Sequence, residues 1–280
     1  MTCPPEPNSA DLEAFAVHNP SFVTQTCLAT IWKVQRKDGS KAALKCYADP
    51  AMPDERPGFA LLDALAGYGA ARLYAVQGGS ALIEWLDGPS LGDIARAGAV
   101  EEADMRLVVV AKEIHRKPAK ASADMPHLTD WFAALRTVKP PQDCSAETQH
   151  NVWRSQLLAE HLLENQSDIG PLHGDLHHDN VKISARGDLA FDAKGIVGDR
   201  IYELANGFLN PVGAAHITTS PARIQRLTRD WAQAFDTTPK TLLDWACAHA
   251  ALSAAWHLRD GISADFAMLN LLWQVRDRSD

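Results

Sequence analysis

The apolar positions of this chain change period once. Up to Leu86 they come in short runs: Ile31 to Gln35 and Ala42 to Tyr47 flank Arg36-Lys37-Asp38-Gly39-Ser40, and Arg72 to Val76 and Ala81 to Leu86 flank Gln77-Gly78-Gly79-Ser80. Runs of that length around Asp-Gly and Gly-Gly pairs predict two β-hairpins, because glycine supplies the left-handed backbone of a tight hairpin turn. The first hairpin puts Lys45 inside a strand. Between the hairpins, Asp54 to Ala66 carries Phe59, Leu62 and Leu65 at helical spacing and is followed by Gly67 and Gly69, which predicts a helix with a glycine stop. Ser9 is placed to cap a short opening helix carrying Leu12, Phe15 and Ala16 on one side.

Beyond Leu86 the period becomes that of helices. Asp87-Gly88-Pro89-Ser90 is turn chemistry with Ser90 as an N-cap, and helical patterns follow at 91–97, 101–117, 129–136, 145–165, 200–209, 221–235, 240–259 and 264–275. One island interrupts them. Leu172-His173, Val181 to Ser184 and Leu189 to Phe191 read as short strands around a polar loop, with Arg186-Gly187-Asp188 as a turn. The expected class is α+β with two lobes, a small β-rich one over residues 1–86 and a larger, mostly helical one over 87–280.

Composition narrows the function without naming it. The chain is 46% hydrophobic and 22% charged, ordinary for a globular protein, and its formal net charge of -8 disfavours the phosphate-backbone attraction on which nucleic-acid binders rely. Residues 1–86 hold 7 Lys+Arg against 9 Asp+Glu, and residues 87–280 hold 20 against 26, nets of -2 and -6. The acidity of the second lobe suits a cationic partner and equally suits plain solubility. Five cysteines without a C-x-x-C pair suggest neither a disulfide framework nor a zinc knuckle, so reduced thiols in a cytoplasm are expected. The opening MTCPPEPNSADLEAF lacks the basic and apolar regions of a signal peptide, and Trp245 to Leu258, interrupted by His249 and Ser253, describes a buried helix rather than a membrane span.

The chemistry is concentrated in Leu172-His173-Gly174-Asp175-Leu176-His177-His178-Asp179-Asn180, followed by Leu189-Ala190-Phe191-Asp192. Phosphoryl transfer needs a carboxylate to orient the acceptor hydroxyl and oxygen ligands for magnesium on a triphosphate. Asp175 and Asn180 have the spacing of the Asp and Asn of a kinase catalytic loop, and Asp192 follows a short hairpin as the second metal ligand would. A rival reading makes His173, His177 and His178 with Asp175 and Asp179 a hydrolase metal site. Asn180 is a poor zinc ligand, and the strand lysine has no role in such an enzyme.

These segments, with Asp192-Ala193-Lys194-Gly195-Ile196-Val197-Gly198-Asp199, Tyr202-Glu203-Leu204-Ala205-Asn206 and Asn210-Pro211, resemble the aminoglycoside/hydroxyurea antibiotic resistance kinase family, the streptomycin 6-kinase-like aminoglycoside phosphotransferases. Ala43-Leu44-Lys45, Gly67 to Leu73, Glu84 to Gly88 and Leu252 to Gly261 fall in the family's order. The resemblance implies a two-lobed protein-kinase-like fold, ATP with Mg2+, a small cationic acceptor, a cytoplasmic detoxifying activity, and a monomer or weak homodimer with no nucleic-acid or membrane partner. It implies that Asp175 acts as the base, that Asn180 and Asp192 hold magnesium, that Lys45 touches the phosphates, and that the backbone of Glu84, Trp85 and Leu86 bonds the purine. Glu55 is the expected acidic partner of Lys45, with Asp54 and Asp63 open as alternatives. Glu203 and Asp260 are expected to contact the acceptor, with Trp131 and Trp256 as walls. Asp199 is expected to cap the helix after it.

Three departures from the family pattern stand out: Arg200 where proline is expected, Ala193 where proline is usual, and no glycine from Phe22 to Lys33, where a phosphate-covering loop should lie. Thr24, Thr26 and Thr30 are the candidates to contact phosphate there. The missing glycines motivate an alternative in which the chain binds nucleotide without turnover.

Overall fold

The computed structural model describes residues 7–52, 55–117 and 119–278. Both expected hairpins form: β2 (Ala29–Arg36) pairs with β3 (Lys41–Tyr47), and β4 (Leu73–Gln77) with β5 (Ser80–Glu84). β5 also joins β3, and an unexpected β1 (Val17–Gln25) lies outside β2, so the antiparallel sheet runs β1-β2-β3-β5-β4. In β1 only Val17 is buried, so there is no apolar alternation to betray the strand. Trp32, Val34, Ala42, Leu44 and Leu82 pack together on one face. Lys45, next to Leu44, points to the opposite face because side chains alternate along a strand.

The stretch expected to cover phosphates is therefore a strand pair with a tight turn at Thr26-Cys27-Leu28. The Thr26 hydroxyl accepts from the N–H groups of Leu28 at 3.2 Å and Ala29 at 3.1 Å, and the Thr26 N–H donates to the Ala29 carbonyl at 2.9 Å. Helix α1 (Ser9–Ala14) is capped by Asn8, whose side chain accepts from the Ala10 N–H, not by Ser9. Helix α2 (Arg56–Leu65) ends on Ala66 in the left-handed region at φ 50°, ahead of the expected glycines, and Asp54 lies outside the described residues.

The chain enters the second lobe at α3 (Leu91–Arg96), where Ser90 and Asp93 cap each other's backbone N–H groups as expected from the turn chemistry. Helices α4 (Val100–Arg116), α7 (Ala146–Glu164), α9 (Pro221–Ala234), α10 (Pro239–Arg259) and α11 (Ala267–Asp277) match the periodic segments. The 129–136 segment is two short helices, α5 (Leu128–Trp131) and α6 (Ala133–Thr137), and α8 (Ala215–Thr218) was not anticipated. The Arg200–Leu209 segment is a 3-10 helix, whose first residues Asp199 caps through the Ile201 N–H. Arg200 uses an N–H that proline lacks, donating to the Asp168 carbonyl at 3.0 Å.

Helix α10 is the axis of this lobe: every residue from Leu242 to Leu252 is buried, and it packs on α7, α9, α11 and the 3-10 helix. Trp245 meets the rings of Phe132 and Tyr202 edge-on. Among the described residues no helix is long and apolar enough to cross a membrane.

The β island clamps the polar loop. Strand β6 (Ile169–Leu172) leads into it and pairs with β9 (Ile196–Asp199), while β7 (Val181–Ser184) leaves it and pairs with β8 (Gly187–Ala190). β8 also joins the lobes, since Ala71 N–H donates to the Ala190 carbonyl and Ala190 N–H to the Gly69 carbonyl. The result is a bilobed fold, β-rich then helical, with the loop at the junction.

Candidate active site

The loop from His173 to Asn180 is held by side chains aimed at its own backbone. The Glu203 carboxylate accepts from the His173 N–H at 2.8 Å and the Gly174 N–H at 3.1 Å. Glu203 is buried, which works to raise its pKa, but His115 at 3.2 Å and the loop amides hold it below the ordinary carboxylate range. It braces the loop from beneath and does not line the acceptor cleft, contrary to expectation. Asp199 caps the 3-10 helix, as expected, and accepts from the Ser167 N–H.

The three histidines do not converge on a metal. His173 Nε2 sits 3.0 Å from the Phe191 carbonyl, His177 Nδ1 accepts from the Asp179 N–H, and His178 Nε2 lies 2.9 Å from Asp104. Burial drives all three toward the neutral ring, His177 down to about 4. Among the described residues no group of three His, Cys, Asp or Glu could hold a metal ion, which removes the hydrolase reading. Asp104 instead anchors a buried ionic cluster. Burial would raise its pKa, yet His178 and Arg223, with Arg226 at 2.8 Å, keep it at about 2.

Asp175 lies above this foundation, and two amides address its carboxylate. Asn180 Nδ2 donates to Asp175 Oδ2 at 3.1 Å and to its backbone carbonyl at 2.9 Å, and Asn206 Nδ2 donates to Oδ1 at 2.8 Å. Asn210 in turn donates to Asn206 Oδ1, which fixes the amide so that its nitrogen faces Asp175. Burial pushes the Asp175 pKa up to about 7, Lys194 pulls it down, and Asp192 adds to the rise. With the Asn180 nitrogen committed to Asp175, its Oδ1 is left as an outward acceptor. Phe191 N–H donates to the Asn180 carbonyl at 2.9 Å, which brings the Asp192 backbone alongside Asn180.

Lys45 reaches across from β3 and pairs with Asp192, whose carboxyl that cation holds below its ordinary value against the effect of burial. The expected Lys45–Glu55 pair is not formed: Glu55 bonds Lys194 at 3.0 Å and accepts from the Tyr47 hydroxyl at 3.3 Å. Around Lys45 and Asp192 lies a cleft walled by Val23, Ile31, Ala43, Ile83, Leu86 and Phe191, with Glu84, Trp85 and Lys182 at its margin. Apolar faces above and below a slot fit a flat aromatic base. The Glu84 N–H donates to the Arg72 carbonyl at 2.8 Å and its carboxylate pairs with Arg186.

Asp175 itself lines a second, wider cleft. Asp124, Asp130, Trp131, Asn206, Trp256 and Asp260 line it, together with Glu55, Lys194 and Arg259. Trp131 and Trp256 meet edge to face at 5.3 Å, and Asp260 sits at the rim paired with Arg259.

Two clefts thus stand out, an apolar slot around Lys45 and Asp192 and a wider one that Asp175 lines with other acids. Residues 15–261 match the family model of the aminoglycoside/hydroxyurea antibiotic resistance kinases. The chain belongs to that family. Streptomycin 3''-kinase from Klebsiella pneumoniae is 32% identical over 235 residues, 82% of this chain and 85% of that one. At the level of fold alone, this kinase is similar to a thermostable mutant aminoglycoside phosphotransferase in ternary complex with ADP and hygromycin B (TM-score 0.61, 13% identity, covering 95% of each chain). It is likewise similar to a Plasmodium vivax ethanolamine kinase (TM-score 0.61, 14% identity, covering 97% of this chain and 84% of that one).

As a member of this family the chain is an ATP-dependent small-molecule phosphotransferase, so the reading in which nucleotide binds without turnover is set aside. Several residues of the kinase site escaped sequence reasoning. Asn206 and Asn210 stood in quoted motifs, and their separation by one helical turn was the available signal. Asp104, Asp124 and Asp130 lie in segments without any motif, and only the fold brings them in.

Proposed function

We propose that this kinase moves the γ-phosphoryl group of ATP, as its magnesium complex, to a hydroxyl of a polycationic acceptor of the aminoglycoside class in the cytoplasm. The observation that carries the acceptor class is the charge of the wide cleft. Five carboxylates line it, Glu55, Asp124, Asp130, Asp175 and Asp260, against two cations, Lys194 and Arg259. Lys194 neutralises Glu55 and Arg259 neutralises Asp260, which leaves three carboxylates: Asp175 for the hydroxyl, and Asp124 and Asp130 as surplus acids beside an indole pair. Carboxylates and aromatic faces together suit ammonium groups on a sugar framework. The name of the streptomycin 3''-kinase relative supports the same class.

In this reading residues 1–86 form the nucleotide-binding lobe and residues 87–280 carry the loop and the acceptor site. Trp85 and Leu86 offer backbone to the purine edge, since the Glu84 N–H is already bonded within the sheet. The outward Asn180 Oδ1 and the ionised Asp192 are hard oxygen donors of the kind Mg2+ takes. Bound there, the ion would offset charge on the phosphates. Lys45 then turns from Asp192 to the α- and β-phosphates. Asp175, oriented by Asn180 and Asn206, receives the acceptor's hydroxyl proton as the new P–O bond forms and the β–γ bridge P–O bond breaks.

The direct test is release of ADP by the purified protein with ATP, Mg2+ and a panel of streptomycin, other aminoglycosides, hydroxyurea, choline and ethanolamine. Turnover is expected with the polycations first. Turnover with choline or ethanolamine and none with any aminoglycoside would refute the acceptor class and leave the kinase chemistry standing.

A further inference from the structure

The phosphate end of the site has a deficit. In the β1–β2 turn the N–H groups of Thr26, Leu28 and Ala29 are bonded within the turn, so the turn offers phosphate oxygens at most the Cys27 N–H and not a cradle. The Thr26 hydroxyl, one of the candidates to replace them, is occupied by the same turn. Something else must meet the charge on the equatorial oxygens of a phosphoryl group in flight.

Lys194 is where that something is needed. The Lys194 and Gly195 N–H groups both donate to the His173 carbonyl, at 2.8 and 3.2 Å, which ties this backbone to the catalytic loop. Close packing fixes it from the other side: a Cβ on Gly195 would stand 2.2 Å from the Pro57 carbonyl oxygen, and one on Gly58 1.9 Å from that of Ala193. The Lys194 side chain is 25% exposed and lines the wide cleft with Asp175, two residues beyond Asp192 of the nucleotide cleft. Its ammonium pairs with Glu55 at 3.0 Å. The charges of Asp192 and Asp175 act on it as well, so three carboxylates bear on this one cation.

We infer that Lys194 is a further catalytic residue of this kinase, a side-chain cation that leaves Glu55 to bind the phosphoryl group as it passes from ADP to the acceptor hydroxyl. The inference rests on the phosphotransfer reading above. In the step, the acceptor oxygen bonds the γ-phosphorus, the β–γ bridge P–O bond breaks toward ADP, and the proton goes to Asp175. Lys194 neither gives nor takes a proton; it donates hydrogen bonds to the transferring oxygens, and Glu55 holds it in register until they arrive. The competing account makes Lys194–Glu55 only a strut between the lobes.

Three variants, Lys194→Met, Lys194→Arg and Glu55→Gln, separate the two accounts when kcat is measured alongside Mg·ADP affinity by calorimetry and the melting temperature. For Lys194→Met the expected result is a fall of about 100-fold in kcat, with Mg·ADP affinity held within about threefold, because the lost contact belongs to the transferring group. Lys194→Arg should recover at least about tenfold of that loss, and Glu55→Gln should cost less than about tenfold, since it frees the cation without removing it. Equal losses in Lys194→Met and Glu55→Gln would make the pair a strut and overturn the inference. So would a kcat for Lys194→Met within about threefold of wild type, or a matching loss of Mg·ADP affinity. Wild-type protein that binds Mg·ADP but phosphorylates no acceptor would sink the phosphotransfer reading itself, and the inference with it.

Discussion

The slot around Lys45 and Asp192 and the wider cleft lined by Asp175 are built on different terms. The slot proposed for the nucleotide has a volume of about 150 Å³ between apolar walls and holds one ion pair, Lys45–Asp192. The cleft proposed for the acceptor has a volume of about 800 Å³ and is lined by carboxylates, two cations and two indoles. Apolar faces around a slot specify a shape that many kinases share, whereas an acid-lined bowl specifies charge and tolerates many shapes. On the proposed reading, the slot sets how the nucleotide is held, and the wider cleft sets which acceptor reaches Asp175.

Changes at the junction should break both halves at once. Asp175→Ala is expected to lower kcat by about 1000-fold or more while leaving ATP affinity within about threefold, read from steady-state rates and nucleotide titration. A loss confined to KM would place Asp175 in binding rather than in chemistry. Beneath the junction, Asp104→Ala strands the buried Arg223 and should cost about 3–5 kcal/mol in urea unfolding. A cost under about 1 kcal/mol would show that the cluster does not support the loop.

Acid pH should sharpen the same point through the buried histidines of the loop and of α10. His177 and His249 are held down by burial, to about 4 and about 3, so their contribution is present above the unfolded value near 6.5 and is lost as the pH falls. At pH 5 each removes about 2 kcal/mol, and His173 and His178 act in the same direction. Asp175, raised to about 7, works oppositely: its contribution grows as the pH drops below 7 and returns about as much as one histidine removes. The metal-free protein is therefore expected to lose about 2 kcal/mol or more of unfolding free energy between pH 7.5 and pH 5. Unchanged stability over that range would contradict the neutral, buried rings.

Smaller effects belong to the acceptor cleft. Asp124→Asn and Asp130→Asn should each raise KM for a polycationic acceptor by about 3- to 10-fold with kcat nearly intact, and added salt should shrink the difference. Equal KM values in wild type and both variants would remove charge as the basis of acceptor choice.

Much of this was legible in the chain because it is local. Two glycine-marked hairpins and the Ser90–Asp93 cap each lie within a few residues, and the fold reproduces them, as it brings Asn180 onto Asp175 five residues away. What failed depended on distance or on exposure. β1 carries no alternation because only Val17 is buried, so it read as a loop. The partners of Lys45 and Glu55 were exchanged because Asp192 and Lys194 reach them from the other lobe, 147 and 139 residues away. Glu203 resembled an acceptor ligand by composition, and only its contact with the His173 and Gly174 amides shows it as a brace.

The central claim is that Lys45, Asp175, Asn180 and Asp192 act on one magnesium triphosphate held between the lobes. A crystal soaked with a non-hydrolysable ATP analogue and Mg2+ tests it most directly. The expected density has the ion between Asn180 Oδ1 and Asp192, Lys45 turned from Asp192 to the α- and β-phosphates, and the γ-phosphate facing Asp175 across the cleft from Lys194. A nucleotide bound with its phosphates pointing away from Asp175, or an ion held without Asn180 and Asp192, would contradict it.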